Sequence, residues 1–203
     1  MHYDVTANDH GLRHDPFKAI VAPRPIGWIT SMSASGAINT APYSFFNAVS
    51  DRPHMVVFSS DGRKDSVTFV EETGEFTCSF PSFDLRERLN ATSAPLPRGE
   101  SEMAFAGLTP APSRFVAPPR IAEAAAALEC RWLQTVPLVP LEGGEAKYHL
   151  VVAQVVGIYI DDRFIVDGLV DTAAMKPIMR AGYHDYFTVT PEDRFSMTRP
   201  AGA

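Results

Sequence analysis

The sequence predicts a mainly β protein with a few helices, in which the strands form a barrel. Three observations carry this prediction: apolar runs with strand character recur along the chain, turns with proline or glycine separate them, and few segments show helical periodicity. The chain has 203 residues, of which 45% are hydrophobic, and this is enough for one substantial core. We therefore expect residues 1–203 to form a single domain.

The strand predictions rest on alternation of polar and apolar residues. Within Glu75 to Phe80, a period of two places Phe76, Cys78 and Phe80 on one buried face. Cys78 is therefore expected in the core and not as a catalytic residue. Similar runs predict further strands at Trp28 to Met32, His54 to Phe58, Leu128 to Val136, Tyr148 to Ile160 and Arg194 to Thr198.

Helix signals are fewer. One helix is predicted from Lys64 to Thr73, because Gly74 is a typical C-terminal stop. A second is predicted from Asp84 to Asn90, after Ser82, and a third from Ala173 to Ala181.

Residues 92–119 are rich in proline, which holds the chain extended and cannot donate to a central sheet. We expect this segment to be a long surface excursion from the domain. A linker between two domains is the alternative, but strand-like runs resume directly afterwards and no Gly/Ser tract is present.

Composition narrows the function classes. The formal net charge is −6 and the basic residues are scattered, so binding to nucleic acid is not expected as the main activity. No apolar run approaches the length of a membrane span, and the first ten residues are too polar for a signal peptide. Together with only two cysteines, these features predict a cytoplasmic protein without a membrane partner.

The stretch SSDGRKDS, residues 59–66, lies between a predicted strand and a predicted helix. A helix N-terminus presents backbone N–H groups without partners and a partial positive charge, which favours an anion. Three serines supply hydroxyls, Gly62 permits close approach, and Arg63 and Lys64 supply cations. Neither a GxxxxGK[ST] loop nor a GxGxxG turn is present, so a nucleoside triphosphatase or a Rossmann dinucleotide binder is poorly supported, and a phosphate monoester remains open.

The same stretch also fits a solvated loop that only caps the following helix, and local chemistry leaves both interpretations open. Asp65 is expected to cap that helix and to orient Arg63 or Lys64.

A second candidate is NTAPYSFFN, residues 39–47, which combines small residues, a proline and aromatics after a predicted strand. Its backbone groups are suited to the edge of a planar heteroaromatic, with side-chain bonds from Thr30, Ser31 and Asn39. The alternative is a turn whose Phe45 and Phe46 fill the core.

Histidines give weaker signals. His10 and His14 are four residues apart, but Gly11 and the neighbouring aspartates favour a mobile loop, so no metal site is expected. His149, Tyr183 and His184 receive no catalytic role.

An ordered set of segments resembles the flavin reductase-like family of FMN-binding split barrels. The segments cover nearly the whole chain and are Val21–Ser31, Asn39–Phe46, Gly62–Ser66, Leu85–Asn90, Leu128–Cys130, His149–Asp161 and Gly182–Tyr186. Two positions depart from the usual pattern: Ser66 stands where Thr is usual, and Phe69 where Asn is frequent. Ser66 keeps the hydroxyl, whereas Phe69 is expected to change a contact on the helix face.

The resemblance implies a six-stranded Greek-key split barrel, a homodimer, and one FMN per subunit. The phosphate of FMN would lie at SSDGRKDS and the ring beside NTAPYS. The cofactor-binding residues implied are Thr30, Ser31, Asn39, Ala41, Pro42, Tyr43, Ser44, Ser59, Ser60, Arg63, Lys64, Asp65 and Ser66.

The function implied is that of a flavin-dependent oxidoreductase: NADH or NADPH gives hydride to the flavin, and electrons pass to oxygen, free flavin or a redox protein. Because flavin carries the redox chemistry, no catalytic acid or base is assigned. The alternative is an electron carrier resembling flavoredoxin, without efficient NAD(P)H oxidation.

Overall fold

The computed structural model of the protein describes residues 1–201. Its helices are α1 (Phe17–Ile20), α2 (Asp65–Thr73), α3 (Arg86–Ala91) and α4 (Glu102–Phe105), with 3₁₀ turns at Phe83–Leu85, Asp162–Phe164 and Pro191–Asp193. The strands are β1 (Gly27–Met32), β2 (Ile38–Tyr43), β3 (Phe46–Asp51), β4 (His54–Asp61), β5 (Glu75–Ser79), β6 (Pro110–Ala111), β7 (Arg120–Ile121), β8 (Ala126–Leu138), β9 (Tyr148–Ile160), β10 (Ile165–Val166), β11 (Leu169–Val170), β12 (Ile178–Arg180) and β13 (Tyr186–Thr188).

The main sheet closes on itself through one bent segment. Its strands follow the order β2-β1-β5-β8-β9-β4-β3, and all neighbours are antiparallel. The two edge strands, β2 and β3, are separated in the chain only by Ser44 and Phe45. They therefore form one bent segment that pairs with β1 at one end and with β4 at the other. With this segment counted once, the barrel has the expected six strands.

The barrel interior contains an apolar core cluster. Ile29, Phe58 and Phe76 have no exposed surface and belong to one core cluster, which also includes Val67 and Val70 of α2. The apolar face of α2 therefore packs onto the barrel interior. Cys78 lies in this cluster, and burial raises the pKa of its thiol to about 12, which disfavours the reactive thiolate. Its expected core position is confirmed.

A second core covers the outer face of β1. Trp28 is fully buried there, and its indole Nε1 donates a hydrogen bond to Thr92 Oγ1 at 2.9 Å. Met103 and Leu108 from the proline-rich segment join this cluster. The expectation that residues 92–119 only run over the surface is therefore wrong for this part. Their apolar residues lack the periodicity that indicates burial, so the sequence pattern did not reveal it.

Most of the predicted helices and strands are present, and two of the predictions are wrong. Residues 194–198 are exposed and form no strand. Within the described part of the chain, no sheet provides a strand that could pair with them. The predicted helix at residues 173–181 is instead a turn followed by β12. Pro177 disfavours a helical residue before it, and Lys176 has φ +50°.

Within residues 1–201, none of the helices combines the length and the apolar character that a bilayer span requires.

Candidate functional site

The N-terminus of α2 has no side-chain cap. Lys64 occupies the N-cap position with extended backbone, φ −71° and ψ 174°, and its side chain has no acceptor atom. The first helical hydrogen bond runs from Thr68 N to Lys64 O, at 3.0 Å. Within residues 1–201, no acceptor is found for the amides of Asp65, Ser66 and Val67. This helix end thus keeps free donors for an anion, and the capping interpretation of SSDGRKDS is not supported.

Charged side chains surround this helix end. Arg63 pairs with Glu71 of α2, and Lys64 forms no ion pair with any carboxylate in the described range. Asp65 does not cap the helix and does not orient Arg63 or Lys64, so that expectation is wrong. Instead it accepts hydrogen bonds from Arg98, with Nε at 2.9 Å from Oδ1. The reason is position: Asp65 follows the N-cap, and its backbone is already helical.

A pocket of about 630 Å³ opens beside this charged cluster, between the end of β4 and the start of β9. It is lined by Gly62, Arg63, Lys147 and His149, among others. Gly62 has φ +78° with open space where a side chain would project, so it allows the left-handed backbone that turns the chain toward α2. Its charged lining is mixed, because Arg63 and Lys147 are accompanied by Asp61 and Glu145. Arg63 directly precedes the N-cap residue Lys64, so the pocket lies close in the chain to the start of α2.

A second groove, of about 550 Å³, lies on the outer face of β4. Ser44, Phe45 and Ser59 line it, and the Ser59 hydroxyl is buried without a hydrogen-bond partner in the described residues. Ser59 lines this groove, and Asp61 lines the pocket described above. Residues two apart on a strand share a face, so these two side chains lie on the same face of β4, about 7 Å apart along the strand. The groove and the charged pocket are thus neighbours on one face of the barrel.

Five of the expected site residues lie on the inner face of the barrel, away from the groove. They are Ser31, Asn39, Tyr43, Ser60 and Ser66, and they lie at the end of the barrel where α2 begins. Asn39 Nδ2 donates to Ser66 Oγ at 2.7 Å in a buried contact. This bond joins β2 to the first turn of α2. Burial raises the pKa of Tyr43, an effect partly opposed by the nearby Ser66 and Ser60 hydroxyls.

The other expected ring contacts lie on β1 and β2. Thr30 is fully buried and its hydroxyl oxygen lies 3.2 Å from that of Thr40, so it already has a partner. Ala41 lies opposite Ile29 on the inner face, and Pro42 lies opposite Trp28 on the outer face. The structure therefore places Ser44 and Ser59 at the groove and Arg63 at the neighbouring pocket, with Lys64 and Asp65 next to Arg63 at the start of α2.

Arg24 is a groove residue that sequence reasoning used only as part of a motif. Its side chain is 6% exposed and lines the groove. The guanidinium donates to the backbone oxygens of Lys18, at 2.6 Å, of Val21, and of Ala181, at 2.9 Å. It therefore joins the N-terminal helix to the C-terminal region behind the groove. The sequence signal that could have singled out Arg24 was its position between Pro23 and Pro25.

His149, Tyr183 and His184 do not meet at one site. His149 Nδ1 is buried without a partner in residues 1–201, on the inner face opposite Ser60. Tyr183 and His184 instead border other cavities, near the N-terminal segment and β12.

Glu102 of α4 supports β2 and provides a pH test. Its Oε2 accepts the Thr40 N–H at 2.9 Å, and burial is the main cause that raises the pKa of its carboxyl above 4.5. The folded state therefore holds this proton more tightly than the unfolded state. The stability contribution of Glu102 is complete below pH 4.5 and is lost as the pH rises through the folded-state pKa.

We expect Glu102→Gln, which keeps an acceptor but cannot ionise, to gain stability relative to the wild type as the pH rises from about 4.5 toward neutrality. Urea unfolding of both proteins across this range measures the difference, and Glu100→Gln is the matched exposed control. A difference between Glu102→Gln and the wild type that does not vary with pH would contradict the expectation.

Comparison with known proteins identifies the family of the chain. The model of the flavin reductase like domain matches residues 21–172. An uncharacterized protein of Halalkalibacterium halodurans is 35% identical over 185 residues, which cover 89% of this chain and 87% of that protein.

Solved structures resemble the chain over nearly its full length. Nitrilotriacetate monooxygenase component B from Bacillus cereus has a TM-score of 0.84 and 29% identity, covering 97% of this chain and 99% of that chain. The 2-nitrobenzoate 2-nitroreductase of Pseudomonas fluorescens has a TM-score of 0.85 and 25% identity, covering 98% and 96%. The fold is thus the expected split barrel. The chain belongs to the flavin reductase-like family.

Proposed function

We propose that the protein is an FMN-dependent flavin reductase-like oxidoreductase that takes hydride from NADH or NADPH and passes electrons to oxygen, free flavin or a redox protein. One arrangement carries this proposal: the uncapped amides of α2 follow Arg63 and Lys64, and Arg63 lines a pocket that neighbours, along β4, the groove with the unpartnered Ser59 hydroxyl. An anionic group and a planar ring on one ligand would match these two features.

The residues present fit FMN. The phosphate would be held by the amides of Asp65, Ser66 and Val67 together with Lys64, since an anion satisfies donors that a helix N-terminus leaves free. Arg98 neutralises Asp65, which would otherwise repel the phosphate. The ring would lie in the groove, where Phe45 offers an aromatic wall and Ser59 a polar contact.

FMN supplies the redox chemistry, so the chain's own task is binding and orientation. The groove walls would exclude water from one side of the ring, and Arg24 fixes the wall by donating hydrogen bonds to three backbone oxygens. The Asn39 to Ser66 bond holds the phosphate-binding turn against β2. No side chain needs to act as an acid or base for this role.

Steady-state oxidation of NADH and NADPH by the purified protein with added FMN tests the proposed activity. Rapid loss of nicotinamide absorbance, dependent on FMN and abolished by prior heat denaturation of the protein, is the expected result. FMN binding with no turnover above the protein-free control would contradict the reductase function and favour an electron carrier.

We also propose that residues 1–203 act as one FMN-binding domain within a cytoplasmic homodimer. Exposed apolar side chains on β8, including Leu133 and Leu138, are consistent with a covered surface. Light scattering checks the assembly, and a monomer mass at micromolar concentration would contradict it.

A further inference from the structure

A cavity of about 420 Å³ lies outside the proposed flavin site, between α3 and the β12–β13 hairpin. Leu89 and Ile178, 2% and 4% exposed, form its buried floor. Phe83, Tyr186 and Phe187 line it with aromatic surface. A cavity with this volume, an apolar floor, and both aromatic and polar side chains in its walls suits one planar ring system with a small attached group.

Two guanidinium groups border this cavity. Arg86 lies over the Phe83 ring, with its Cζ at 4.1 Å from the centroid, and Arg180 lies over the Tyr186 ring at 4.5 Å. Stacking and one backbone hydrogen bond hold each cation, since Arg86 Nη1 donates to the Phe83 carbonyl at 2.9 Å and Arg180 Nη2 donates to the Tyr183 carbonyl. A guanidinium has five N–H donors, so each arginine keeps further donors for a ligand. Fixed guanidinium groups beside an apolar pocket favour a planar ligand that carries phosphate or carboxylate.

The cavity also contains groups that modulate this charge. Glu87 pairs with Arg86 at 3.5 Å in an exposed contact, and His184 lies on the opposite wall. An exposed pair of this kind stabilises little, so an anionic ligand can compete for Arg86. The Glu87 carboxylate would repel such a ligand. Removing its charge should therefore strengthen ligand binding, whereas removing either arginine should weaken it.

The cavity and the flavin groove share a wall. Arg180 of β12 exchanges two backbone hydrogen bonds with Arg24, both at 2.9 Å, and Arg24 lines the groove. A ligand with one end in the groove can therefore reach the cavity across this single strand pair. A dinucleotide has the required form: a ring at each end and phosphates between them.

We propose that this cavity binds the adenine-nucleotide half of the nicotinamide dinucleotide donor. The adenine ring lies on the apolar floor, and its phosphates are bound by Arg86 and Arg180. This proposal rests on the proposed reductase function, but it makes a claim about nucleotide binding that needs no turnover.

Calorimetric titration of the full-length, FMN-loaded protein with AMP tests the proposal. We expect Arg86→Met and Arg180→Met each to weaken AMP about 10-fold and adenosine hardly at all, because only AMP carries the charged group. Glu87→Gln is expected to strengthen AMP about 2-fold to 5-fold. Arg131→Met, at an exposed arginine near Glu75, is the matched control and should leave AMP unchanged.

The FMN affinity of each variant, measured by flavin fluorescence, separates this proposal from the proposed function. Unchanged FMN affinity with lowered AMP affinity supports the cavity as the nucleotide subsite. FMN binding and NAD(P)H turnover without AMP binding would overturn the inference and leave the function standing. Benzoate bound more tightly than AMP would also overturn it. Because Arg180 also contacts the Tyr183 carbonyl, the Arg86 variant keeps the test valid if Arg180→Met fails to fold.

Discussion

We expect Lys64→Ala to weaken FMN binding about 10-fold to 100-fold while riboflavin binding stays nearly unchanged. Lys64 stands at the uncapped start of α2 without an ion-pair partner among the described residues, so its ammonium is available to the phosphate. A hydrogen bond to a charged group stabilises by about 1.5–3 kcal/mol, and each 1.4 kcal/mol is about tenfold in affinity. Riboflavin has the same ring without the phosphate and therefore reports ring binding alone.

Arg63 gives a graded version of the same test. It pairs with Glu71, so Arg63→Ala should weaken FMN less than Lys64→Ala, and Glu71→Gln should strengthen FMN by releasing Arg63. Fluorescence titration with both flavins measures these effects. Lys176→Ala, which removes a lysine paired with Asp84, is the control. Equal FMN affinity in the wild type and Lys64→Ala would remove SSDGRKDS from the cofactor site.

Trp28→Ala should lower the free energy of unfolding by about 3–5 kcal/mol. The Trp28 side chain is fully buried between β1 and the segment that carries Met103 and Leu108, and its truncation leaves a large cavity. The change also removes the indole partner of Thr92 Oγ1. Urea unfolding followed by far-ultraviolet circular dichroism measures the loss without relying on tryptophan fluorescence.

Leu141→Ala provides the matched control, because Leu141 is a large apolar residue that is 98% exposed. Its substitution should change the free energy of unfolding by less than about 1 kcal/mol. A similarly small effect for Trp28→Ala would show that residues 92–119 do not form part of a second core.

The sequence predicted the strands best where one pattern dominates. The alternation in residues 75–80 and the apolar runs of β4, β8 and β9 lie where expected, because period two is a direct consequence of strand geometry. The helix α2 ends as predicted at Gly74, whose φ of +75° a glycine adopts without strain.

The sequence could not show which side of each site strand faces the groove. Ile29 and Trp28 are neighbours on β1 and both are fully buried, one in each core. When both faces of a strand are covered, apolar character does not distinguish them. The position of the Asn39, Ser60 and Ser66 side chains inside the barrel therefore could not be inferred from the sequence.

Long-range partners were also beyond sequence reasoning. Arg98 donates a hydrogen bond to Asp65, 33 positions away in the sequence, and Arg24 donates one to the Ala181 carbonyl, 157 positions away. Local motifs carry no information about such contacts, which depend on how distant segments pack. The C-terminal residues 194–198 show the converse: their strand propensity was real, but no partner strand in the described chain lies beside them.

The central claim is that this chain binds FMN through the start of α2 and the neighbouring groove. The most direct test is the visible absorbance spectrum of the purified protein, recorded before and after incubation with FMN and removal of the free flavin, followed by identification of the flavin released on denaturation. The account predicts bound-flavin bands and the release of FMN. A folded protein that stays colourless after incubation with FMN would contradict it.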